Sequence, residues 1–234
     1  MAITTLLFIS GACVVSFIQL CADRLAAQQS LLLPRSFCFN CHHKLSYYDL
    51  IPIISYLYLH GRCRYCHQRL KLTMPIFEII GGLVTIWLVN NLAVSMWPFM
   101  ILLCGELIFV TLTDINEYFI YTFPTIAITL ALLIIHPTDI TVHWRSCLAI
   151  TTPLLLYSRA SHGLGLGDIL LIAQISLFCS WELTLLGILI ACLICMGFFY
   201  WQQLLFKRHF LRMPFVPFLT SGWLISYLWQ FYFL

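Results

Sequence analysis

The chain of 234 residues is 62% hydrophobic and only 9% charged, a composition that excludes an ordinary water-soluble globular protein. Its formal net charge of +3 is too small to indicate a nucleic-acid-binding protein, and we expect no nucleic-acid partner. Several apolar runs approach the length of about 20 residues that crosses a bilayer. The sequence therefore predicts an all-α, polytopic membrane protein.

Eight apolar segments follow one another along the chain and predict about eight transmembrane helices. They cover approximately residues 3–22, 75–95, 97–113, 119–136, 143–157, 168–181, 183–201 and 214–232. The only sizeable polar region lies between the first two segments, and no internal repeat is visible. We expect a first helix at 1–22, a loop at 23–74 and a membrane core at 75–234.

The distribution of basic residues predicts the orientation, because Lys and Arg favour the cytoplasmic side of a membrane protein. With an even number of spans and the first loop inside, every one of the 12 Lys and Arg residues except Arg145 is cytoplasmic. Both termini are then external. Asp114 and Asp168 fall at cytoplasmic ends of the third and sixth segments, and the basic face favours contact with anionic membrane lipid.

Four of the 11 cysteines form two C-x-x-C pairs in the polar loop, Cys38 with Cys41 and Cys63 with Cys66. Because a cytoplasmic loop is kept reduced, metal ligation is favoured over disulfide bonds there. Four thiolates satisfy tetrahedral Zn²⁺, and so short a loop cannot bury enough apolar surface to fold alone. The spacing predicts a structural zinc site of the zinc-ribbon type.

Histidine follows each pair, at His42 and His67, and this leaves other interpretations of the loop open. C-x-x-C-H is the attachment pattern of haem c, which would make the chain a membrane electron carrier. The thiols could also be redox-active, and His42, His43 or His67 could replace a cysteine as a zinc ligand. Acids within apolar segments, such as Glu78 and Glu106, are found in transporters too, which is a further alternative.

The order and spacing of several motifs resemble the type IV prepilin peptidases, membrane aspartic proteases of the G-x-G-D class. The matching elements are the loop with YYDLIPIISYL and GRCRYC, Glu78, Asp114 in TLTD, Gly165-Leu166-Gly167-Asp168, and MPFVPFLTSG. Three positions depart from the family pattern: Leu170 replaces a common lysine, Tyr121 stands where proline is frequent, and Val216 replaces the glycine of G-P-F-L.

The resemblance implies that Asp114 and Asp168 are the catalytic pair of an aspartic endopeptidase. One carboxylate would take a proton from water while the protonated partner donates a hydrogen bond to the scissile carbonyl. We expect the motif's glycines to allow close approach of the substrate backbone and unusual dihedral angles. The candidate substrate-binding residues are Gly163, Gly165, Gly167 and Glu78.

The resemblance also implies the substrates and the location. We expect prepilins or pseudopilins to be cleaved at the cytoplasmic face of a prokaryotic plasma membrane, between the leader and the hydrophobic helix. Members of the family often methylate the new N-terminus with S-adenosylmethionine. This cofactor is therefore expected if the chain is also a methyltransferase.

Overall fold

Nine α-helices and two short 3-10 helices form in the described part of the chain, in the order that the apolar segments predict. The structure, a computed structural model, describes residues 1–31, 35–161, 164–206 and 213–233, the side chains of 138–140 and 206 excepted. The elements are α1 Ala2–Ala26, η1 Tyr47–Leu50, α2 Ile54–Tyr58, α3 Thr73–Asn91, η2 Val94–Met96, α4 Trp97–Glu117, α5 Thr122–Ile135, α6 Pro137–Ser161, α7 Leu166–Phe178, α8 Trp181–Phe206 and α9 Val216–Phe233. Within these residues no strand forms, so the all-α prediction is confirmed.

Eight of these helices correspond to the eight predicted apolar segments, and α2 is the addition. In the part of the chain that the structure describes, four stretches are long and apolar enough to cross a membrane: Ala2–Ala26, Thr73–Asn91, Val94–Glu117 and Trp181–Leu205. By contrast, α5 and α7 contain 14 and 13 residues. At 1.5 Å per residue each covers about 20 Å of a hydrocarbon core of about 30 Å. The chain is a multi-pass membrane protein that combines full-length spans with shorter apolar helices.

The chain forms two compact units, Met1–Phe109 and Val110–Leu234. The first contains α1, the polar loop, α3 and most of α4. The second contains the end of α4 and all later helices. The finer division into 1–22, 23–74 and 75–234 stays a prediction.

In the first unit, α1 and α3 pack as an antiparallel pair. Their backbones approach closely because small residues lie between them, as is common in membrane helices. A side chain at Gly81 would collide with Val15. At the polar end of the pair, Lys71 Nζ lies 3.3 Å from Asp23 Oδ1. The polar loop thus leaves and re-enters the unit at one end of a helical hairpin.

In the second unit, α6 packs along α7 and α8 packs along α9. Small residues again allow the second contact, because a side chain at Gly222 would collide with the backbone of Gly187 and Ala191. Trp223 Nε1 donates a hydrogen bond to Cys179 Sγ over 3.3 Å, so this cysteine serves helix packing. These pairs support the ends of α4 and α7, where the candidate aspartates lie.

Some predictions fall outside the described residues. They concern the substrate-site candidate Gly163 and three of the basic residues used to predict the orientation, Lys207, Arg208 and Arg212.

Candidate metal centre and carboxylate pair

The two C-x-x-C pairs fold into two copies of the same turn. In the first, Cys38 N–H donates to His43 O over 3.0 Å and His42 N–H to Cys38 O over 2.8 Å. The equivalent bonds recur in the second turn, from Cys63 N–H over 2.9 Å and from His67 N–H over 3.0 Å. The loop therefore does contain a short internal repeat. The prediction of no internal repeat is wrong for this loop, because the shared pattern in C-F-N-C-H-H-K-L and C-R-Y-C-H-Q-R-L spans only eight residues.

The histidines of the two motifs close these turns with their backbone. His42 and His67 both adopt left-handed conformations, with φ of 55° and 57°. Among non-glycine residues, histidine is one of those that tolerate this region. Within the described ranges, the one cluster of possible metal ligands consists of the four cysteine Sγ atoms. This geometry favours ligation by four thiolates over replacement of one by a histidine.

The four sulfur atoms fit a single zinc ion. All of them lie within 4.8 Å of one another, and Cys38 Sγ is 3.8 Å from Cys66 Sγ. A tetrahedral site with Zn–S bonds of about 2.3 Å requires sulfur atoms about 3.8 Å apart. Two haem c groups would instead need the two cysteine pairs to be separate. The convergence of both pairs therefore favours one metal ion.

The pKa values of two of the thiols also favour a bound metal ion. Hydrogen bonds from the Asn40 amide and the Gln68 backbone N–H lower the pKa of Cys66 to about 6. The His43 backbone N–H lowers the pKa of Cys41, but desolvation and hydrogen bonds with neighbouring thiols outweigh it and raise that pKa to about 11. The Cys66 thiolate therefore forms readily, whereas ionisation of Cys41 is resisted. A bound divalent cation removes that resistance.

An ion pair between an exposed arginine and a buried aspartate side chain ties the second turn to η1. Arg64 Nη2 lies 2.7 Å from Asp49 Oδ1, and the Asp49 side chain is only 2% exposed. Asp49 Oδ2 also accepts hydrogen bonds from the Ser46 N–H and hydroxyl, which forms a capping box. Burial raises the pKa of Asp49, but the bonds from Ser46 and Arg64 hold it below its ordinary value. The Ser-x-x-Asp spacing was the available sequence signal for this residue.

Asp114 lies in the last turn of α4 and is buried. Its Oδ2 accepts a hydrogen bond from Val216 N–H, the first residue of α9, over 2.9 Å, and Phe215 N–H is a second donor. The N-terminus of a helix stabilises a carboxylate through such free N–H groups. The motif around Val216 therefore contacts Asp114 through its backbone, and valine supplies the same donor as the glycine common in the family.

Asp168 lies in the first turn of α7 and is half-buried. Its carboxylate accepts a hydrogen bond from the N–H of Gly165, the N-cap of this helix. Asp114 also acts electrostatically on Asp168. The fold of the second unit thus brings together two carboxyls that are distant in the sequence.

The sequence predicts unusual dihedral angles for the glycines of the G-x-G-D motif, but the structure does not show them at Gly165. Gly165 has an ordinary extended backbone, with φ −70° and ψ 145°. Gly167 matters for close packing, because a Cβ there would lie 2.7 Å from Ile120 Cβ. Its lack of a side chain lets the start of α7 lie against the link between α4 and α5. The absence of a side chain at Gly167 thus allows close packing of two segments of the protein itself.

The other two departures from the family pattern have different structural settings. Tyr121 is the N-cap of α5, and its hydroxyl donates to Glu117 Oε2 over 3.0 Å. This bond spans the α4–α5 link where related sequences often place proline. Leu170 is a half-buried apolar residue of α7, and nothing in the structure explains the absence of lysine there.

Glu78 belongs to the first unit, where it is buried in α3. Its Oε2 accepts a hydrogen bond from Ile53 N–H over 2.7 Å, and Ser16 is a further hydrogen-bond partner. It also lines a cavity of about 620 Å³ between α1, the start of α3 and the polar loop. Glu78 is therefore a structural contact of the loop as well as part of a cavity wall.

These features define a class: multi-pass helical membrane proteins with two carboxyls at helix ends and a four-cysteine loop that could hold a metal ion. Two family descriptions match consecutive parts of the chain. The Bacterial Peptidase A24 N-terminal domain matches residues 9–92, and the Type IV leader peptidase family matches residues 100–200. The chain belongs to the type IV leader peptidase family.

Several curated relatives carry the name prepilin leader peptidase/N-methyltransferase. The relative from Bacillus subtilis (strain 168) is 26% identical over 241 residues, covering 96% of this chain and 94% of its own. The one from Burkholderia pseudomallei (strain 1026b) is 28% identical over 220 residues, covering 86% and 70%. The one from Myxococcus xanthus (strain DK1622) is 40% identical over 78 residues, and the match spans only 33% of this chain and 23% of that protein. No solved structure matches the chain.

Proposed function

We propose that this protein is an aspartic endopeptidase that removes the leader from type IV prepilins or pseudopilins. The observation that carries the proposal is the position of Asp114 and Asp168 at the ends of α4 and α7, close enough for the Asp114 carboxylate to act electrostatically on Asp168. The match to the leader peptidase family spans both residues. The names of the relatives supply the substrate class.

The chemistry follows from two carboxyls that share one proton, since neighbouring carboxyls cannot both ionise comfortably. The ionised member takes a proton from the attacking water, whose oxygen adds to the scissile carbonyl. The protonated member donates a hydrogen bond to the carbonyl oxygen and stabilises its developing charge. Collapse of the tetrahedral intermediate breaks the C–N bond, and a proton passes to the departing amine. The backbone donors of Phe215 and Val216 orient Asp114 throughout.

We further propose that cleavage takes place at the cytoplasmic membrane face. The asymmetric distribution of basic residues supports this orientation, because the topology predicted from the sequence puts Asp114 and Asp168 on the side with most Lys and Arg. The hydrophobic helix of the substrate can then stay in the lipid while its junction with the leader reaches the aspartates.

The test measures leader cleavage of a purified prepilin by three proteins: wild type, Asp114→Asn and Asp168→Asn. Each protein is supplied in its own membranes, prepared in the same way and containing equal amounts of the enzyme. Asparagine keeps the shape but cannot exchange the proton, so each variant should lose at least about 10²-fold in rate. Glu117→Gln is the matched control, because Glu117 is an exposed acid at the end of the same helix as Asp114. Normal cleavage by either aspartate variant would refute its catalytic role.

A second activity, N-methylation of the new N-terminus, is favoured by the cavity in the first unit. Its volume of about 620 Å³ lies within the usual range of small-molecule sites, about 300–1,000 Å³. S-adenosylmethionine, when bound, would supply the methyl group. The wall offers the Glu78 carboxylate for its positive charge and the Tyr56 ring for its apolar parts. These residues fit a cationic donor, and the three relatives described above are named N-methyltransferases.

Donor binding can be tested without any peptidase activity. Radiolabelled S-adenosylmethionine should bind equally to wild type and to Asp114→Asn, since Asp114 belongs to the other unit. Ser55→Phe places a large ring in the cavity and should abolish binding. Normal binding by the Ser55→Phe protein would show that the donor does not use this cavity.

A further inference from the structure

The segment 47–59 has two different faces. One face lines the cavity of the first unit, through Pro52, Ser55, Tyr56 and Leu59. The opposite face exposes large apolar side chains: Ile51 is 41% exposed, Ile54 63%, Leu57 66% and Tyr58 73%. From residue 50 to residue 59 the sequence LIPIISYLYL contains no charged residue. Neither the metal cluster nor the carboxylate pair accounts for this outer face.

The contact between Ile53 and Glu78 sets the depth of the segment along the α1–α3 pair. The Asp23–Lys71 ion pair marks the polar end of these two helices. Ser16, which bonds Glu78, lies about 10 Å from Asp23 along the axis of α1 at 1.5 Å per residue. The loop therefore turns back about 10 Å beyond the polar end, alongside two helices that are long and apolar enough to cross a membrane.

The backbone at this depth is irregular, and its hydrogen bonding explains the buried acid. Ile53 has φ 62° and ψ −52°, and Ile54 N–H bonds Pro52 O over 2.5 Å, which is a γ-turn. A β-branched residue rarely adopts such a conformation. The Ile53 N–H is bonded to Glu78 Oε2, so the polar group is satisfied where lipid offers no partner. Glu78 thereby holds the strained turn against α3.

The helices beside the turn expose apolar residues at the same depth. Val14, two residues before Ser16 in α1, is 49% exposed, and Ile79, next to Glu78 in α3, is 40% exposed. On helices of this kind such side chains face lipid. The exposed apolar side chains of 47–59 thus lie beside the exposed apolar side chains of α1 and α3 and extend the same apolar surface.

We propose that 47–59 is a re-entrant membrane segment anchored by Glu78. Ile51, Ile54 and Leu57 contact lipid acyl chains, and Tyr58 lies where the bilayer meets its head groups, as tyrosine commonly does. The cavity-lining face is covered by protein or water, which is the condition under which non-helical backbone is tolerated at membrane depth.

The test uses a photoreactive phenylalanine analogue at single positions of the full chain in phospholipid nanodiscs. Probes at Ile54 and Leu57 should form lipid adducts, detected by mass spectrometry. The matched control is a probe at Ser55, which lines the cavity and should form none. Equal lipid labelling at Ser55, the absence of lipid adducts at Ile54 and Leu57, or exclusive cross-links there to another protein would each overturn the proposal.

The anchor is tested by combining the Leu57 probe with changes at Glu78. Glu78→Ala removes the acceptor for Ile53 N–H and should reduce lipid adducts about tenfold, whereas Glu78→Gln keeps an acceptor oxygen and should retain most of them. Bound metal per chain is measured in parallel, so that the comparison uses only protein with an intact loop. Undiminished adducts in Glu78→Ala would refute the anchoring role, and so would loss of metal and adducts together in both variants.

Discussion

The backbone at residue 216 matters more than its side chain, because Asp114 is held by the Val216 N–H at the start of α9. Every residue except proline supplies this donor, and this explains why valine can stand where glycine is common. This hydrogen bond also joins two motifs that are distant in the sequence, TLTD with Asp114 and MPFVPFLTSG with Val216. A substitution that removes only the N–H should therefore reveal its contribution.

We predict that Val216→Pro reduces kcat/KM for leader cleavage about 10- to 100-fold, as expected when a charged acceptor loses one donor. Val216→Ala retains the N–H and should cleave at nearly the wild-type rate. Thermal unfolding in the same detergent measures any loss of folding in both variants. Equal activity of the two variants would show that this hydrogen bond does not position Asp114.

The contact between Gly167 and Ile120 predicts a second effect at the scale of single residues. Gly167→Ala forces a methyl group against Ile120 and should destabilise the protein by about 1–3 kcal/mol. Ile120→Gly removes the Cβ, Cδ1 and Cγ1 atoms that obstruct the new methyl group, so the double variant should recover more stability than additivity allows. Thermal unfolding of the four proteins in one detergent measures this coupling. Strict additivity would contradict the proposed contact.

At the scale of elements, the polar loop depends on its metal turns because it has almost no apolar core. In its described residues, 27–31 and 35–72, Cys63 is the only buried apolar side chain. Hydrogen bonds around Cys38 and Cys63 shape the two turns, and the Asp49–Arg64 pair attaches η1 to the second. A metal bound by both turns would join them, since the two pairs of ligands come from different turns.

We predict about one zinc ion per chain, lost when Cys63 and Cys66 are both changed to serine. The loop of that variant should also become sensitive to trypsin at its Lys and Arg residues, because metal binding and folding are coupled in such small units. The control changes Cys192 and Cys195, a C-x-x-C pair in α8, to serine. Full metal in the first variant, or its loss in the control, would refute the assignment of the ligands.

At the scale of the whole molecule, the number of helices that cross the membrane decides the orientation. Within the described residues eight helices match the predicted apolar segments, but four stretches are long and apolar enough for a full span, and α5 and α7 are shorter. With eight crossings both termini lie outside, and the polar loop lies inside with most basic residues. One helix that fails to cross would place the termini on opposite sides.

We predict that reporters fused to either terminus are active outside the cell membrane, and that a tag inserted between Ala27 and Gln28 is accessible only from the cytoplasm. The physical reason is the cost of translocating the loop's Lys and Arg residues. Assays of reporter activity on both sides of the membrane measure the three positions. An external loop, or termini on opposite sides, would contradict the predicted orientation.

The sequence by itself determined the helical membrane class, the four candidate thiolates and the family resemblance, because composition, apolar length and motif spacing are local properties. It could not assign the fit of Gly167 against Ile120. Nor could it show that Glu78 accepts the N–H of Ile53, or that Val216 donates to Asp114. These are backbone groups and close approaches between distant segments, which leave no side-chain pattern. Only the tertiary structure, by bringing those segments together, decided which groups meet.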